Sequence, residues 1–347
     1  MSLSATPVPQ PAAVNSHRSA SPLHDLVYGH IHASALRAVV VHRIPDRLAD
    51  APLTAEQLAA DAGIQAGPLH RVLRLLAVRG IFQQDAGGAF ALTSAGHSLR
   101  TDMPGSQRDA VLLFTDPMFR RSAESLEDTL RTGAPGFDSA YGLPLFDHLS
   151  SHPDDSRLFD TAMSSLTSGV NEQIADSYPF PGTGRIVDVA GGRGGLLRAV
   201  LTRHPGLTGL LFDRPETVTD HLLGTAELAD RWQTEGGDIF TAVPASGDLY
   251  LLKNILHDWP DEDCLRILTS IRRAAATGTK LLVIDAVLPD DGTPHPAIAL
   301  DIVMLMTLRG RERTHAEFER LLSGAGFRIN RTVRTPALTS IIEAEAV

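Results

Sequence analysis

The chain has 347 residues, which is too long for one ordinary small domain and long enough for two domains with separate cores. Hydrophobic residues make up 43% of it and charged residues 21%, as in soluble globular proteins, and no apolar stretch reaches the ~18 residues that cross a bilayer. The net charge of −10 argues against a nucleic-acid surface, and a single cysteine, Cys264, excludes an internal disulfide and a cysteine-based zinc cluster.

The first residues, MSLSATPVPQPAAVNSHRSA, lack the apolar core of a signal peptide. We expect residues 1–20 to form a disordered tail and the protein to be cytoplasmic, without a membrane partner.

Residues 21–105 carry alanine and leucine at helical spacing and predict a mostly helical N-terminal domain. Within it, Thr54 can cap a helix that Gly63 ends, and a second helix is expected from Pro68 to Gly80. Two short strands should follow around a Gly-Gly turn. Helix, turn, helix and hairpin together are typical of a winged helix.

A winged helix permits two functions. The second helix carries Arg71, Arg74 and Arg79, which would favour DNA binding. The acidic balance of the chain favours instead a scaffold that packs against a partner subunit, and we expect no nucleic-acid partner.

Residues 106–180 predict a helical region interrupted by a long irregular segment, TGAPGFDSAYGLPLFDHLSSHPDD. From Arg185 onward, short apolar runs alternate with helical segments, and the runs are RIVDVA, LTGLLFD, DLYLLKNIL and TKLLVIDAVL. This alternation predicts a parallel sheet covered on both faces. We therefore expect residues 181–347 to form a doubly wound α/β domain that binds its ligand at the carboxyl ends of the strands.

The first predicted strand runs into a glycine-rich loop, VDVAGGRGGLL, over residues 187–197. Glycines allow a ligand to approach the backbone and leave a helix N-terminus facing it. The dinucleotide pattern Gly-x-Gly-x-x-Gly fails because Leu197 stands at its third glycine, and no Gly-Lys-Ser/Thr follows for a phosphate-binding loop. By itself, the loop could also be a structural turn.

Acidic residues stand at the following strand ends. The second strand ends at Asp213, Asp238 lies in GGDIF before the next strand-like region, and the fifth strand is expected to end at Asp285. Lys253 and His257 stand near the end of the fourth. Acidic residues at the strand ends, beside a glycine-rich loop, suit a ligand that contains a nucleoside. Because the loop has no phosphate-binding lysine, we expect a ligand without phosphates, such as S-adenosyl-L-methionine.

Four motifs in order resemble the S-adenosylmethionine-dependent small-molecule O-methyltransferases, a family that includes plant caffeate and flavonoid enzymes and bacterial polyketide and antibiotic enzymes. The motifs are VDVAGGRGG, GGDIF, LLKNILHDWPDEDCLRIL and GRERTHAEFERLLSGAGF. The resemblance covers the chain from about residue 21 to its end. It implies a Rossmann-like methyltransferase domain and a homodimer formed through the winged-helix-like N-terminal domain, with residues 106–180 as linker and substrate cap.

The resemblance also implies roles for single residues. His257 would be the general base, and Glu312 and Asp285 would orient or polarise it. The implied cofactor-binding residues are Asp188, Gly191, Asp213, Arg214, Asp238, Ile239, Phe240, Lys253 and Trp259. Trp259 could instead close the core. No metal is expected.

The expected substrate is a small aromatic molecule. Phe159, Met163 and Met304 resemble the family's acceptor pocket, although methionines at this spacing also suit a core. Asp258 is assigned to the same substrate site. We also expect its side chain to cap the following helix or to contact the surrounding backbone.

The sequence departs from the family at several positions. Ala190 stands where glycine is usual, Arg193 where a small residue is common, and Ile239 where methionine is frequent. Asp285 replaces the more usual glutamate, so it reaches less far towards His257.

The chemistry explains why a base is needed. A phenol has a pKa of ~10 and a histidine one of ~6.5, so proton transfer before methylation is uphill by roughly 5 kcal/mol. A carboxylate beside the imidazole reduces this cost and fixes the tautomer. Methyl transfer to a hydroxyl, in bacterial secondary metabolism, is the main hypothesis. The alternatives are N- or C-methylation, a ligand-responsive winged-helix regulator, and a cofactor-binding scaffold without activity.

Overall fold

The structure is a computed structural model that describes residues 22–167 and 169–347. The predicted disordered tail, residues 1–20, lies outside the described residues. The chain divides into two compact units, Met1–Gly96 and His97–Val347. The first unit ends before the predicted boundary at residue 105, and the second contains both the helical region and the α/β domain.

The described part of the first unit consists of helices followed by a hairpin. Its elements are α1 (Pro22–Val27), α2 (Gly29–Val41), α3 (Ile44–Arg47), α4 (Ala55–Ala62), α5 (Ala66–Val78), β1 (Phe82–Gln84), β2 (Phe90–Leu92) and α6 (Ser94–His97), and the last residue of α6 is the first of the second unit.

Local sequence signals explain these elements. Thr54 and Gln57 form a reciprocal capping box at the start of α4, and Gly63 ends α4 in the left-handed conformation. β1 and β2 pair antiparallel. The predicted helix, turn, helix and hairpin are confirmed, although α5 begins at Ala66, before the predicted Pro68.

The second unit opens with a helical region. Its helices are α7 (Arg108–Phe114), α8 (Pro117–Glu124), α9 (Leu126–Thr132), α10 (Gly136–Tyr141), α11 (Leu145–Ser151), α12 (Pro153–Thr167) and α13 (Val170–Ser177). The segment predicted to be irregular therefore forms helices α10 and α11. Pro135 and Pro144 precede these helices, and Gly133 and Gly142 end α9 and α10 in the left-handed conformation, so each helix is too short to show periodicity.

An α/β domain follows. Its strands are β3 (Gly184–Val189), β4 (Leu207–Asp213), β5 (Trp232–Gly236), β6 (Leu249–Lys253), β7 (Lys280–Leu288), β8 (Arg313–Thr314), β9 (Phe327–Arg334) and β10 (Thr339–Ala346). Its helices are α14 (Gly195–Arg203), α15 (Pro215–Val218), α16 (Asp261–Ala274), α17 (Ala297–Thr307) and α18 (His315–Gly324), with a 3₁₀ turn at Leu256–Asp258.

The strand order is β5-β4-β3-β6-β7-β10-β9, and β8 pairs with β7. Strands β3 to β7 are parallel, as predicted. The sheet is not parallel throughout, because β10, which the sequence analysis did not predict, runs antiparallel to both β7 and β9.

Both faces of the sheet are buried. Alternate residues of the central strands, such as Val187 and Tyr250, pack on the layer of α16 and α18, while Ile186 and Leu251 pack on the layer of α13 and α14. Burial on both sides explains why these strands read as continuous apolar runs. The doubly wound α/β class is confirmed. In the described part of the chain, no helix is long and apolar enough to cross a membrane.

Candidate active site

His257 lies in the 3₁₀ turn that joins β6 to α16. Asn254 leaves β6 in the left-handed conformation, with φ 54°, and its NH donates to the carbonyl of Ile284 in β7. The strand is thereby turned at its carboxyl end, and His257 is delivered to the sheet edge where ligands of α/β proteins bind.

Glu312 is the direct partner of His257. Its Oε1 lies 2.8 Å from His257 Nδ1, and the glutamate side chain is fully buried, while the histidine side chain is 12% exposed. The backbone NH of Glu312 donates to Asp301 Oδ1 in α17 at 2.8 Å. The structure thus brings together the two residues that the sequence assigned to the catalytic pair, 55 positions apart.

Asp258 lies on the other side of the imidazole. Its Oδ1 is 3.4 Å from His257 Nε2. The expectation that Asp258 caps α16 was wrong, because that helix begins after Pro260, without a side-chain capping bond. The carboxylate belongs to the surroundings of the histidine, since the 3₁₀ turn directs both side chains to the same place.

Asp285 lies within β7, and the expectation that its strand ends there was wrong, since β7 continues to Leu288. The residue is fully buried, and neither carboxylate oxygen has a hydrogen-bond partner among the described residues. Its charge acts on His257 through space. The shorter side chain at this position thus leaves an electrostatic effect without a hydrogen bond.

These carboxyl groups change how His257 titrates. Burial lowers the pKa of His257, but Asp258, Glu312 and Asp285 outweigh burial and raise that pKa to about 10. Burial in turn raises the pKa of Asp285 to about 7 and that of Asp258 to about 6, although the nearby imidazolium lowers both. The histidine is therefore a much stronger base than a free imidazole.

The glycine loop lies between β3 and α14. A Cβ at Gly191 would stand 2.6 Å from the Asp188 carboxylate and 2.7 Å from Leu211, so no side chain fits there. Gly192 is left-handed, with φ 59°, and has open space on its side-chain side. Ala190 takes the left-handed conformation with φ 52°, which explains why glycine is the more usual residue at this position.

Asp213 stands at the end of β4, next to the loop. Its Oδ2 accepts the NH of Gly192 at 2.8 Å and its Oδ1 accepts the NH of Arg214 at 2.7 Å. Each oxygen keeps a second lone pair, so the carboxylate is held in place and can still accept two hydroxyl groups. The Arg214 side chain is 58% exposed and lies 3.5 Å from Glu216.

The GGDIF segment, residues 236–240, begins at the last residue of β5. The expectation that it lies just before a strand was wrong, because the next strand, β6, begins only at Leu249. Asp238 closes its own turn by accepting hydrogen bonds from the NH of Phe240 and the hydroxyl of Thr241. Both bonds lower the pKa of Asp238, and the bond from the Phe240 NH has the larger effect. Ile239 and Phe240 pack on the core. Trp259 meets Phe240 edge to face at 4.8 Å, so the aromatic pair forms an apolar wall.

Lys253 is partly buried at the end of β6 and donates from Nζ to Asn171 Oδ1 at 2.9 Å. Burial lowers its pKa, while Asp188 and Asp285 raise it. Asn171 belongs to α13 and reaches the loop, because a Cβ at Gly195 would lie 2.8 Å from its Nδ2. The sequence interpretation did not identify Asn171, and no local motif around it would have done so.

The donor set fits S-adenosylmethionine. Asp188 Oδ2 is buried, has no hydrogen-bond partner within the described part of the chain and can accept an ammonium group. Burial is the main cause that raises the pKa of Asp188 to about 7. Asp213 suits ribose hydroxyls, the Phe240 and Trp259 wall suits an adenine, and the open side of Gly192 leaves room for a ligand. Among the described residues, no group of three or more potential ligands is arranged to hold a metal ion.

The expected acceptor residues lie in two places. Phe159 and Met163, in α12, are partly buried and pack on the apolar cluster of the helical region, which Val303 and Leu308 also join. Met304 is 8% exposed and lies in α17, one turn from the Asp301 that holds Glu312. Helix α17 therefore links the helical region to the His257 and Glu312 pair.

A polar cleft of about 460 Å³ lies elsewhere in the second unit, lined by Ser164, Arg108 and Arg193 among others. Its α12 residues, which include Thr161 and Ser164, lie on the side of that helix away from Phe159 and Met163. The cleft adjoins the glycine loop only through Arg193, and His257 is not in its lining. Its position therefore does not identify the place of chemistry.

Three further residues of the site were missed. Asp301 holds the backbone of Glu312, Gly310 packs against the backbone of the His257 turn, and Arg313 is buried beside that turn. Gly310 and Arg313 flank Glu312 within the GRERTHAEF motif. Their place in the motif is the signal that could have identified them.

Comparison with protein families gives two matches. Residues 124–328 match the O-methyltransferase domain, and residues 24–102 match the O-methyltransferase dimerisation domain. The second match covers the winged-helix segment on which the regulator hypothesis depended.

The chain is 38% identical over 331 residues to an O-demethylpuromycin-O-methyltransferase from Streptomyces alboniger, with 93% of this chain and 88% of the relative covered. It is 34% identical over 303 residues to an 8-amino-8-demethylriboflavin N,N-dimethyltransferase from Streptomyces davaonensis, with 86% and 87% covered. The crystal structure of a methyltransferase of calicheamicin biosynthesis with bound S-adenosylhomocysteine matches with a TM-score of 0.86 and 39% identity, over 94% of this chain and 97% of that one.

Proposed function

Because this chain belongs to the S-adenosylmethionine-dependent O-methyltransferase family, as an enzyme of the bacterial secondary-metabolism type, we propose that it methylates a hydroxyl of a small aromatic molecule with His257 as general base. The observation that carries the proposal is the 2.8 Å contact between His257 Nδ1 and the buried Glu312.

This contact fixes the tautomer. Nδ1–H donates to Glu312, so Nε2 is the nitrogen that can take a proton from the acceptor. Once Nε2 is protonated, Asp258 Oδ1 at 3.4 Å stabilises the imidazolium. The chain therefore provides a base together with two carboxylates that favour its protonated form.

The raised pKa changes the energetics of proton removal. With a pKa of about 10, the neutral form of His257 matches a phenol of pKa ~10, so the proton-transfer step itself is nearly balanced in free energy. The same shift keeps the imidazole protonated at neutral pH in the free protein, so forming the neutral base at pH 7 costs about 4 kcal/mol. The neutral, active form therefore becomes more populated as pH rises.

The remaining residues bind and orient. S-adenosylmethionine, when bound, supplies a methyl group on a positively charged sulfur that an oxygen lone pair can displace. We assign Asp213, with Arg214 beside it, to the ribose, and Asp238, Ile239, Phe240 and Trp259 to the adenine side. Asp188, Gly191 and Lys253 are assigned to the amino-acid end, and the alignment of donor and acceptor gives much of the acceleration.

We assign Phe159, Met163 and Met304 to the aromatic acceptor because Phe159 and Met163 pack on the same apolar cluster as Val303 of α17. That helix also carries Met304 and the Asp301 that holds Glu312. We propose four segments for the chain: a tail over residues 1–20, a winged-helix-like domain over 21–105, a substrate cap over 106–180 and a methyltransferase domain over 181–347. The dimerisation match and the exposed apolar side chains of α1 and α2 support a homodimer.

A second candidate is methylation of nitrogen. The relative from Streptomyces davaonensis is named an N,N-dimethyltransferase, so the family's scaffold accommodates an amine acceptor. A neutral aromatic amine attacks without prior loss of a proton, and it does not need the paired base that His257 and Glu312 provide. This pair favours oxygen.

The test is to incubate the protein with isotopically labelled S-adenosylmethionine and pairs of aromatic acceptors that differ only in hydroxyl against amine. We expect label on oxygen, located by mass spectrometry of the product. Asp213→Ala should abolish saturable calorimetric binding of S-adenosylhomocysteine. Label on nitrogen alone would establish the second candidate, and binding without transfer to any acceptor would establish a scaffold.

A further inference from the structure

Arg313 is a charged side chain without solvent exposure, and it directly follows the catalytic partner Glu312 in the sequence. We infer that Arg313 is the positioning residue that holds His257 and Glu312 in register. This inference rests on the proposed function, because it concerns the geometry of the proposed base.

The guanidinium reaches around the turn that carries His257. Nη1 donates to the carbonyl of Leu256 at 2.6 Å, and Nη2 donates to the carbonyl of Trp259 at 2.8 Å. These carbonyls lie on either side of His257 and Asp258 in the chain. One planar group therefore fixes both ends of the turn, which a single point charge could not do.

The same side chain is tied to the next helix. Nη2 and Nε donate to Asp261 Oδ1 at 2.7 and 3.0 Å, at the first residue of α16. Glu312, whose carboxylate accepts the His257 hydrogen bond, directly precedes Arg313 in the chain, so the two residues share a peptide bond. A shift of the guanidinium therefore changes the position of the histidine relative to its carboxylate.

The opposite neighbour of Glu312 offers a matched control. Arg311 also binds Asp261, at 3.1 Å, and pairs with Glu317 at 2.6 Å, but its side chain is 41% exposed. It shares the residue type and a carboxylate partner with Arg313, but among the described residues its guanidinium donates to carboxylates and to no backbone carbonyl. If only the loss of positive charge near Asp261 mattered, substituting either arginine would lower activity by the same amount.

The experiment compares Arg313→Lys and Arg313→Met with Arg311→Met and His257→Gln in the full chain. We measure kcat and acceptor KM with a hydroxylated aromatic that the native protein methylates, and calorimetric affinity for S-adenosylhomocysteine. Lysine keeps the charge but cannot bind both carbonyls and Asp261, so kcat should fall about 10²-fold with KM and cofactor affinity within about threefold. Arg311→Met should keep native kcat.

A second readout follows the hydrogen bond itself. The proton between His257 Nδ1 and Glu312 should give a far-downfield ¹H resonance, assigned by its absence in His257→Gln. We expect this resonance to shift or broaden in Arg313→Lys and to stay in place in Arg311→Met. If Arg313 only stabilised the fold, Arg313→Lys would lower thermal stability and cofactor affinity without selectively shifting this resonance.

The outcomes separate the two proposals. If Arg313→Lys retains native kcat and the resonance does not move, while His257→Gln is inactive, the positioning role of Arg313 is wrong. The assignment of His257 as general base then still stands. If His257→Gln retains full activity, the base assignment is wrong. Should Arg313→Met fail to fold, Arg313→Lys alone decides the positioning role.

Discussion

His257 is surrounded by three carboxyl groups, and only one of them, Glu312, accepts a hydrogen bond from it. Asp258 lies at 3.4 Å from the other ring nitrogen, and Asp285 acts through its charge alone. The base is therefore strengthened by a cluster of charges, and removing a member should lower its pKa.

Glu312→Gln is expected to move the acid limb of the kcat/KM profile to lower pH. The folded protein loses a carboxylate that raises the pKa of His257, so the neutral imidazole forms earlier as pH rises. The plateau should fall about 10- to 100-fold because the base is weaker. Steady-state assays across pH measure both, and exposed Glu319→Gln is the control. An unmoved acid limb would show that Glu312 does not set this pKa.

Asp285→Asn is expected to stabilise the protein at pH 8. Burial raises the pKa of Asp285 to about 7, above its unfolded value near 3.9. The contribution of this group to the free energy of unfolding is therefore fully present at low pH, where Asp285 is protonated, and is lost as pH rises through about 7. An amide avoids this cost, worth up to about 4 kcal/mol. Thermal unfolding should show a gain that shrinks towards pH 4. Exposed Asp290→Asn should show none, and a destabilised Asp285→Asn would contradict the account.

The sequence motifs were enough to predict the His257 and Glu312 pair, because both residues stand inside long, specific signatures. They could not predict that Asp258 faces the histidine, since that depends on how the 3₁₀ turn is closed. Asn171 was missed because its contact with Lys253 joins positions 82 residues apart. Contacts of this kind depend on tertiary packing.

At the scale of elements, the backbone of the 3₁₀ turn packs directly on the segment before β8. A Cβ at Gly310 would lie 1.9 Å from the carbonyl oxygen of His257. Gly310→Ala should therefore push the turn away and lower kcat about 10²-fold. The assay is kcat beside affinity for S-adenosylhomocysteine, which should change little. Gly182→Ala, whose Cβ would meet nothing within 4 Å, is the control, and native kcat in Gly310→Ala would refute the close packing.

The strands differ in how well they could be predicted. β3, β4, β6 and β7 are buried on both faces and were evident as apolar runs. β5 was missed because it is largely exposed at the sheet edge, with the polar sequence WQTEG. The antiparallel direction of β10 could not be predicted, since apolar pattern does not fix strand direction.

At the scale of the molecule, the first unit exposes apolar side chains in α1. Leu23 is 69% exposed and Leu26 is 78% exposed. If these residues meet a second copy, Leu26→Arg should weaken the dimer, because a charge would be buried at the interface. Light scattering after size exclusion should show the native protein as a dimer and the variant shifted towards monomer. A native monomer would refute the homodimer. The matched control is Leu130→Arg, because Leu130 is 77% exposed but lies in α9 of the second unit, outside the domain assigned to dimerisation.

The central claim is that His257 removes the acceptor's proton, and a series of substituted phenols tests it directly. Single-turnover methylation is measured at fixed pH for native protein and His257→Ala, with phenols whose pKa values run from roughly 7 to 10. We expect a shallow dependence in the native protein and a steep loss with weakly acidic phenols in the variant, reaching about 10²- to 10⁴-fold. Parallel dependences with equal rates would show that His257 is not the base.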